Sequence, residues 1–297
     1  MTGASERYLR LASVAQRAFA CGRLERALRL FSAAEDEAKR AGDRELSDRA
    51  FCNRCVVLLE LDRLDGAVGE LKTVLMRASD PFTAWMAAYY TAQVYESEGN
   101  VGRALAYARR ASELATKCGE TRARAASANQ HGVLALKDSH FAEAGERFED
   151  ALHHNQGGDR IGTAIIQDNL GYCLMCTGRV EEGLALCREA HGALQSIGAR
   201  QYLAEVYQDL CYGALQSGDF PMARKMGESA LGLAREFANS AIERNTLMLL
   251  ADAAMDEADD TAAEHYLHAL AQHYPDFRGM KDFLRAFNVR EVINLKL

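Results

Sequence analysis

A turn pattern that returns about every 40 residues constrains this sequence more than any other feature. Seven short polar or glycine-containing turns are each followed, five residues later, by a small residue. These turns lie at Gly22, Asp62, Gly99, Ser139, Gly178, Gly218 and Ala258. Irregular loops do not keep a constant spacing, so each interval is interpreted as one structural module.

The residues around each turn predict a helical hairpin. Apolar residues recur at helical spacing on both sides, as in Leu11, Val14 and Ala18 before the first turn. A small residue lies seven positions before every turn, which lets two helices approach closely. Phe31, Leu71, Phe148 and Leu267, nine positions after their turns, are expected to fill the space between hairpins. With only three prolines in 297 residues, none inside a predicted helix, the chain is expected to be all-α.

This pattern resembles the tetratricopeptide repeat family over roughly residues 5 to 275. The best match is Asn169-Leu170-Gly171 with Gly178 and Ala190. The 40-residue period is similar to the long variant found in kinesin light chain, in Leu-Gly-Asn repeat proteins and in bacterial peptide-sensing regulators. The resemblance implies a right-handed α-solenoid of about seven hairpins and a binding scaffold without a fixed catalytic function.

The sequence predicts two parts, a repeat solenoid over residues 1–275 and a C-terminal part over 276–297. The apolar side chains that form one helical face of this second part predict a capping helix; they are Phe277, Met280, Phe283, Leu284 and Phe287. The last residues, from Val289 to Leu297, are more apolar than a free tail requires. They are expected either to pack on the cap or to dock on a partner.

Charge and apolar pattern exclude several classes of protein. The chain has 35 Lys and Arg against 42 Asp and Glu, a net charge of −7, which disfavours nucleic acid as a partner. Its charged residues leave no apolar stretch of about 18 residues that could span a membrane. Glu6, Arg7 and Arg10 interrupt the start of the chain, so no secretion signal is recognised. We expect a cytoplasmic protein with reduced cysteines.

The sequence offers little evidence for an enzyme. It has no phosphate-binding loop, no zinc-protease motif, no nucleophile elbow and no dinucleotide fingerprint. Two Cys-x-x-Cys pairs, Cys52/Cys55 and Cys173/Cys176, lie three repeats apart within predicted helices, where packing is the favoured interpretation. His265 and His268 share a helical face without further ligands. We predict no catalytic residue, no metal site and no cofactor.

The resemblance implies that the first helix of each hairpin lines a concave groove. The residues expected to bind a partner there are Asn53, Tyr89, Gln93, Asn129, Asn169, Tyr172, Gln208, Asp209, Tyr212, Asn245 and Asp252. Carboxamides both donate and accept, so they can bind the backbone of an extended peptide whatever its sequence. The alternative is that they only solvate a helix face. Asn169 is expected to be exposed and to contribute little to folding.

The charge of this groove suggests the sign of its ligand. Acidic residues outnumber basic ones on the predicted face; they are Glu96, Asp168, Glu205, Asp209, Asp252 and Asp256. A basic partner segment is therefore favoured, although these carboxylates could also serve only solubility. The sequence favours a protein-interaction scaffold. A regulatory peptide sensor acting on a separate effector remains an alternative, as does, less favoured, a metal-dependent enzyme. The sequence does not indicate the oligomeric state.

Overall fold

The fold is described from a computed structural model that covers residues 3–21, 23–61, 63, 66–155, 160–274, 279, 282, 290 and 293–296. Within these residues all regular secondary structure is helical, which confirms the all-α prediction. The chain forms two compact units, Met1–Leu134 and Ala135–Leu297. The predicted capping helix and two of the predicted turn positions, Gly22 and Asp62, lie outside the described residues.

Unit 1 is built from helical hairpins in chain order. Its helices are α1 (Gly3–Ala20), α2 (Leu24–Arg40), α3 (Arg44–Glu60), α4 (Ala67–Arg77), α5 (Pro81–Ser97), α6 (Val101–Cys118) and α7 (Thr121–Lys137), the last of which contains the division between the units. Helix α1 packs on α2, and α5 packs on α6. Helices α2 with α3 and α4 with α5 join successive hairpins. Phe31 and Leu71 are buried, as expected of residues that fill the space between helices.

Unit 2 repeats the same arrangement. Its helices are α8 (Phe141–His154), α9 (Arg160–Cys176), α10 (Val180–Ile197), α11 (Arg200–Gln216), α12 (Phe220–Glu236), α13 (Ser240–Asp256) and α14 (Asp260–Ala271). The hairpins are α9 with α10, α11 with α12, and α13 with α14. The first helices also pack on one another, α9 on α11 and α11 on α13. Phe148 and Leu267 are buried between the helices.

Small residues allow the helices of a hairpin to approach closely. A Cβ atom placed on Gly171 in α9 would lie 2.6 Å from Cys187 Sγ and 2.8 Å from the carbonyl oxygen of Gly183 in α10. Carbon atoms do not approach other atoms that closely, so the contact between α9 and α10 requires glycine at this position. The predicted reason for small residues seven positions before each turn is therefore confirmed at Gly171.

The regular spacing of the turns has a backbone cause. Gly99, Gly178 and Gly218 have φ angles of 71°, 87° and 75°. Ser139 and Ala258 hold the same turn position in the same left-handed conformation, with φ angles of 59° and 56°. Glycine adopts this conformation without the Cβ clash that costs other residues about 1–2 kcal/mol. The turns thus end each first helix at a fixed point, which sets the register of the hairpins.

Candidate functional site

The candidate site lies on one face of unit 2, formed by the adjacent first helices α9, α11 and α13. Residues spaced three, four or seven apart share a face of a helix. On these three helices the shared face carries amides, tyrosines and carboxylates, and we call it the acidic face; its residues are Asp168, Tyr172, Glu205, Gln208, Asp209, Tyr212, Asn245, Asp252 and Asp256. Part of the chain's own C-terminal region, Arg290 and residues 293–296, contacts this face. We call these five residues the tail segment.

The acidic face binds the backbone of the tail segment. The Leu295 amide donates to the Tyr172 hydroxyl at 3.0 Å. The Leu295 carbonyl accepts from Asn245 Nδ2 at 3.1 Å and from Gln208 Nε2 at 3.5 Å. The Tyr212 hydroxyl donates to the Arg290 carbonyl at 2.9 Å. Both polar backbone groups of Leu295 are therefore paired, by side chains from all three helices.

Neighbouring side chains orient two of these groups. The Thr246 hydroxyl donates to Gln208 Oε1 at 3.3 Å, which directs the Gln208 amide nitrogen toward the tail segment. The Tyr212 hydroxyl accepts from Gln216 Nε2 at 2.9 Å, so its own proton is available for the Arg290 carbonyl. Burial raises the pKa of the Tyr212 hydroxyl, which keeps that proton in place.

Three carboxylates hold the ammonium group of the tail segment. Lys296 Nζ lies 2.7 Å from Asp209 Oδ2, 2.8 Å from Glu205 Oε1 and 3.8 Å from Asp168 Oδ2. It also lies 5.3 Å from the centre of the Tyr172 ring. Its side chain is 5% exposed, whereas lysine is almost never buried without charged partners. The three carboxylates and the Tyr172 ring therefore compensate the buried charge of Lys296, and we call the space they enclose the lysine pocket.

The proton affinities in this pocket follow from burial and charge. Burial alone would lower the pKa of Lys296, but Asp209, Glu205 and Asp168 together raise it well above its usual range. Burial raises the pKa of Asp168 to about 6 and that of Asp209 well above its usual value, although Lys296 opposes both shifts. Lys296 lowers the pKa of Glu205. Near neutral pH, the pocket attracts positive charge.

Two further groups fix the register of the tail segment. Arg290 Nε lies 3.0 Å from Asp252 Oδ2, and its Nη2 lies 2.6 Å from Asp256 Oδ2. Asn294 Nδ2 donates to the Leu136 carbonyl at 2.8 Å, while its Oδ1 accepts from the Lys296 amide at 3.0 Å. This second bond closes an Asx turn, so the tail segment bends where it enters the lysine pocket.

The structure brings together six of the eleven predicted binding residues around the tail segment. They are Tyr172, Gln208, Asp209, Tyr212, Asn245 and Asp252. Asn169, also in unit 2, differs from the expectation. It is 8% exposed, because α9 is packed by α8, α10 and α11, so the prediction that its amide faces solvent is wrong.

The other four predicted residues lie in unit 1. Asn53 and Tyr89 line a cleft of about 770 Å³ beside Trp85. Gln93 on α5 and Asn129 on α7 are half-buried and do not line it. The cleft also holds cationic and anionic groups, so it has no single sign of charge; they are Arg49, Lys117 and Arg122 against Asp80 and Glu120.

Sequence reasoning missed what contacts the acidic face. Glu205 and Asp168 were predicted to lie on the acidic side of the groove but not among the residues that bind a partner, and Thr246 was not considered. Sequence reasoning also left open whether the C-terminal residues pack or dock. A signal was present, because the mainly apolar C-terminal stretch contains two cations, Arg290 and Lys296, and the predicted groove is acidic.

The cysteine pairs have environments that match the packing interpretation, and the histidine pair lies on an exposed helical face. Burial raises the pKa of Cys55 to about 12 and that of Cys176 to about 11, so both are protonated thiols at neutral pH. His265 and His268 are exposed on α14. Over the described residues, no group of three or more histidine, cysteine or acidic side chains has a geometry that could hold a metal ion. None of the described helices combines the length and apolar character needed to cross a bilayer.

Comparison with known proteins reveals a likeness of fold. No family model and no curated protein sequence matches this chain. The apo form of RapI superposes with a TM-score of 0.68 at 11% identity, over 92% of this chain and 79% of RapI. The apo form of the quorum sensor NprR from B. thuringiensis gives 0.67 at 14% identity, over 96% of this chain and 79% of NprR. PH0952 of Pyrococcus horikoshii, an ATPase with a tetratricopeptide repeat sensor, gives 0.65 at 17% identity, over 97% of this chain and 45% of PH0952. The chain has the tetratricopeptide-repeat fold, an all-α solenoid of helical hairpins.

Proposed function

We propose that this chain is a protein-interaction scaffold that binds an extended, basic segment of a partner protein on the acidic face of unit 2. The observation that carries the proposal is the tail segment, which lies on this face with its backbone and both of its cations bound. A surface that pairs with one extended basic segment has the groups needed to pair with another of the same chemistry.

Two kinds of contact, backbone hydrogen bonds and ion pairs, would recognise a partner segment. Hydrogen bonds from Tyr172, Gln208 and Asn245 reach backbone atoms, so they stabilise any segment that adopts the same path. The carboxylates instead select positive side chains, because a neutral or acidic side chain would leave buried charge unpaired. The proposed partner is therefore specified by charge and spacing more than by a full sequence.

A regulatory role is the second candidate. The structures with similar folds include a quorum sensor, NprR, and a protein with a tetratricopeptide repeat sensor, PH0952. The observation that favours regulation here is that the acidic face is already occupied by the chain's own tail segment. In both roles we propose that the chain acts by binding, in the cytoplasm, without a catalytic step of its own.

Photo-crosslinking tests the scaffold function directly. A photoreactive amino acid replaces Glu205, at the partly exposed edge of the lysine pocket, in a chain that also carries Arg290→Ala and Lys296→Ala. These two alanine substitutions remove the cations that pair with the remaining carboxylates of the acidic face. In the matched control, the photoreactive residue replaces the exposed Lys225 on α12 of the same double variant. Both proteins are irradiated in cells that express them.

The proposal predicts crosslinks from position 205, but not from position 225, to basic segments of a small set of proteins. Mass spectrometry of the crosslinked peptides identifies those segments and their charge. Equal crosslinking from the two positions, or products from position 205 that are predominantly acidic segments, would contradict the proposed function.

A further inference from the structure

We propose that the tail segment is an intramolecular competitor, which occupies the acidic face until a partner segment of the same pattern displaces it. The proposal rests on the proposed function of this face. The pattern is an aliphatic residue followed by a cation, with a second cation six residues before the first, as in Leu295, Lys296 and Arg290. The partner is thus a protein segment that carries two cations at this spacing beside one aliphatic anchor.

The depth of burial indicates that the tail segment is bound as a ligand would be. Leu295 is 4% exposed, and both its amide and its carbonyl are paired by side chains of unit 2. Ile293 packs against the apolar cluster of α13 and α14. Backbone pairing, an apolar anchor and a buried cation occur together in four consecutive residues, which is the arrangement of a bound peptide.

The spacing of the two cations matches two separate groups of carboxylates. Lys296 is held by residues of α9 and α11, whereas Arg290 is held by Asp252 and Asp256 of α13. A segment with only one of these cations would leave one acidic group unpaired. Requiring both therefore raises the selectivity for the partner beyond what a single charge could give.

Two carboxylate oxygens of the lysine pocket are not paired by Lys296. Asp168 Oδ1 and Asp209 Oδ1 are buried and accept no hydrogen bond from the described residues. A partner cation with more donors, such as a guanidinium group, can satisfy these oxygens, whereas an ammonium group has only three protons. Against such a partner the tail segment has one advantage, because its covalent connection to the chain gives it a high effective concentration.

The proposal is tested with a fluorescent peptide that has the sequence of residues 288–297, NVREVINLKL. Its affinity is measured by anisotropy for the full chain, for the Lys296→Glu variant and for Lys225→Glu. The Lys296→Glu change repels the tail segment from the carboxylates and leaves the face intact. The Lys225→Glu control makes the same charge change at an exposed position on α12. Circular dichroism confirms that each variant retains its helices, and Lys296→Ala provides a second, milder release of the tail segment.

We expect the peptide to bind Lys296→Glu at least tenfold more tightly than the wild type, and Lys296→Ala to shift in the same direction. Lys225→Glu should bind like the wild type. Peptides in which the arginine or the lysine is replaced by alanine should lose at least tenfold in affinity for Lys296→Glu, and a scrambled peptide should lose as much.

Each alternative result of these binding measurements would refute a different part of the proposal. Equal affinity for wild type and Lys296→Glu would refute the competitor while leaving the proposed function in place. No binding to any variant would refute the proposed function itself. Equal binding of the scrambled peptide would refute the pattern. Sedimentation of the wild type as a dimer that dissociates in Lys296→Glu would show that the tail segment occupies a second copy, and would refute the intramolecular arrangement.

Discussion

Replacing Tyr172 with phenylalanine removes one hydroxyl from the centre of the acidic face and leaves its ring. The ring is buried and lies 5.5 Å from that of Tyr212 and 6.0 Å from that of Phe141, contacts that phenylalanine keeps. The hydroxyl accepts from the Leu295 amide at 3.0 Å. The hydroxyl also donates to the Ile293 carbonyl at 3.5 Å, so the variant tests the hydrogen bonds of this one hydroxyl to the tail segment with little change in packing.

The expected magnitude follows from the burial of that amide. Leu295 is buried, so in the variant its amide either stays unpaired or reaches water by leaving the face. Losing a hydrogen bond and leaving the donor unpaired in this way costs about 1–2 kcal/mol. This energy corresponds to about a 5- to 30-fold rise in the equilibrium for release of the tail segment.

Amide hydrogen exchange measures this equilibrium at the affected atom. In ¹⁵N-leucine-labelled protein, the Leu295 amide should exchange about 5- to 30-fold faster in Tyr172→Phe than in the wild type. Tyr266→Phe is the control, because its hydroxyl donates to Glu228 Oε1 at 2.5 Å and makes no hydrogen bond to the described residues of the tail segment, while its ring packing is kept. An unchanged exchange rate of the Leu295 amide in Tyr172→Phe would show that the Tyr172 hydroxyl does not hold the tail segment.

Three further predictions concern the pocket and the fold. Binding of the tail segment should weaken as the pH falls below about 4.3, the usual pKa of glutamate, because Lys296 lowers the pKa of Glu205 and acid neutralises a carboxylate that pairs with it; amide protection factors measured from about pH 7 to pH 3 check the sign. Gly178→Ala should lower the free energy of unfolding, measured by urea titration, by about 1 kcal/mol, because the φ angle of Gly178 is 87°. In the matched control, Gly232→Ala in an exposed part of α12 should raise the free energy of unfolding by about 0.5–1 kcal/mol. Gly171→Ala should lower it by about 1–3 kcal/mol or more, since the new Cβ would lie 2.8 Å from a backbone oxygen of α10; an unchanged midpoint would contradict the close approach.

Local periodicity explains why the hairpins could be predicted from the sequence. The positions of small residues and of turn glycines are fixed by contacts within one hairpin, such as Gly171 against α10 and the left-handed turn at Gly178. Because successive first helices pack side by side, the same register also placed Gln208 and Asn245 on one face. These features need only the helical repeat and the steric limits of the backbone.

The contact between the acidic face and the tail segment could not be predicted in this way. Lys296 reaches Glu205 and Asp209 across about 90 residues of chain, and no periodic pattern encodes a contact at that separation. Charge complementarity gave the sign of the ligand but not its identity. The expected exposure of Asn169 failed for a related reason, since the rotation and packing of α9 depend on three neighbouring helices.

The pairing of Arg290 and Lys296 with carboxylates on three helices also has an evolutionary consequence. A mutation that neutralises or reverses one carboxylate would leave a cation of the same polypeptide without its partner, and a second mutation in the tail segment could restore the match. Lineages should therefore inherit these positions as correlated pairs, with 290 following 252 and 256, and 296 following 168, 205 and 209. Any external protein that shares this face would have to change in step with both.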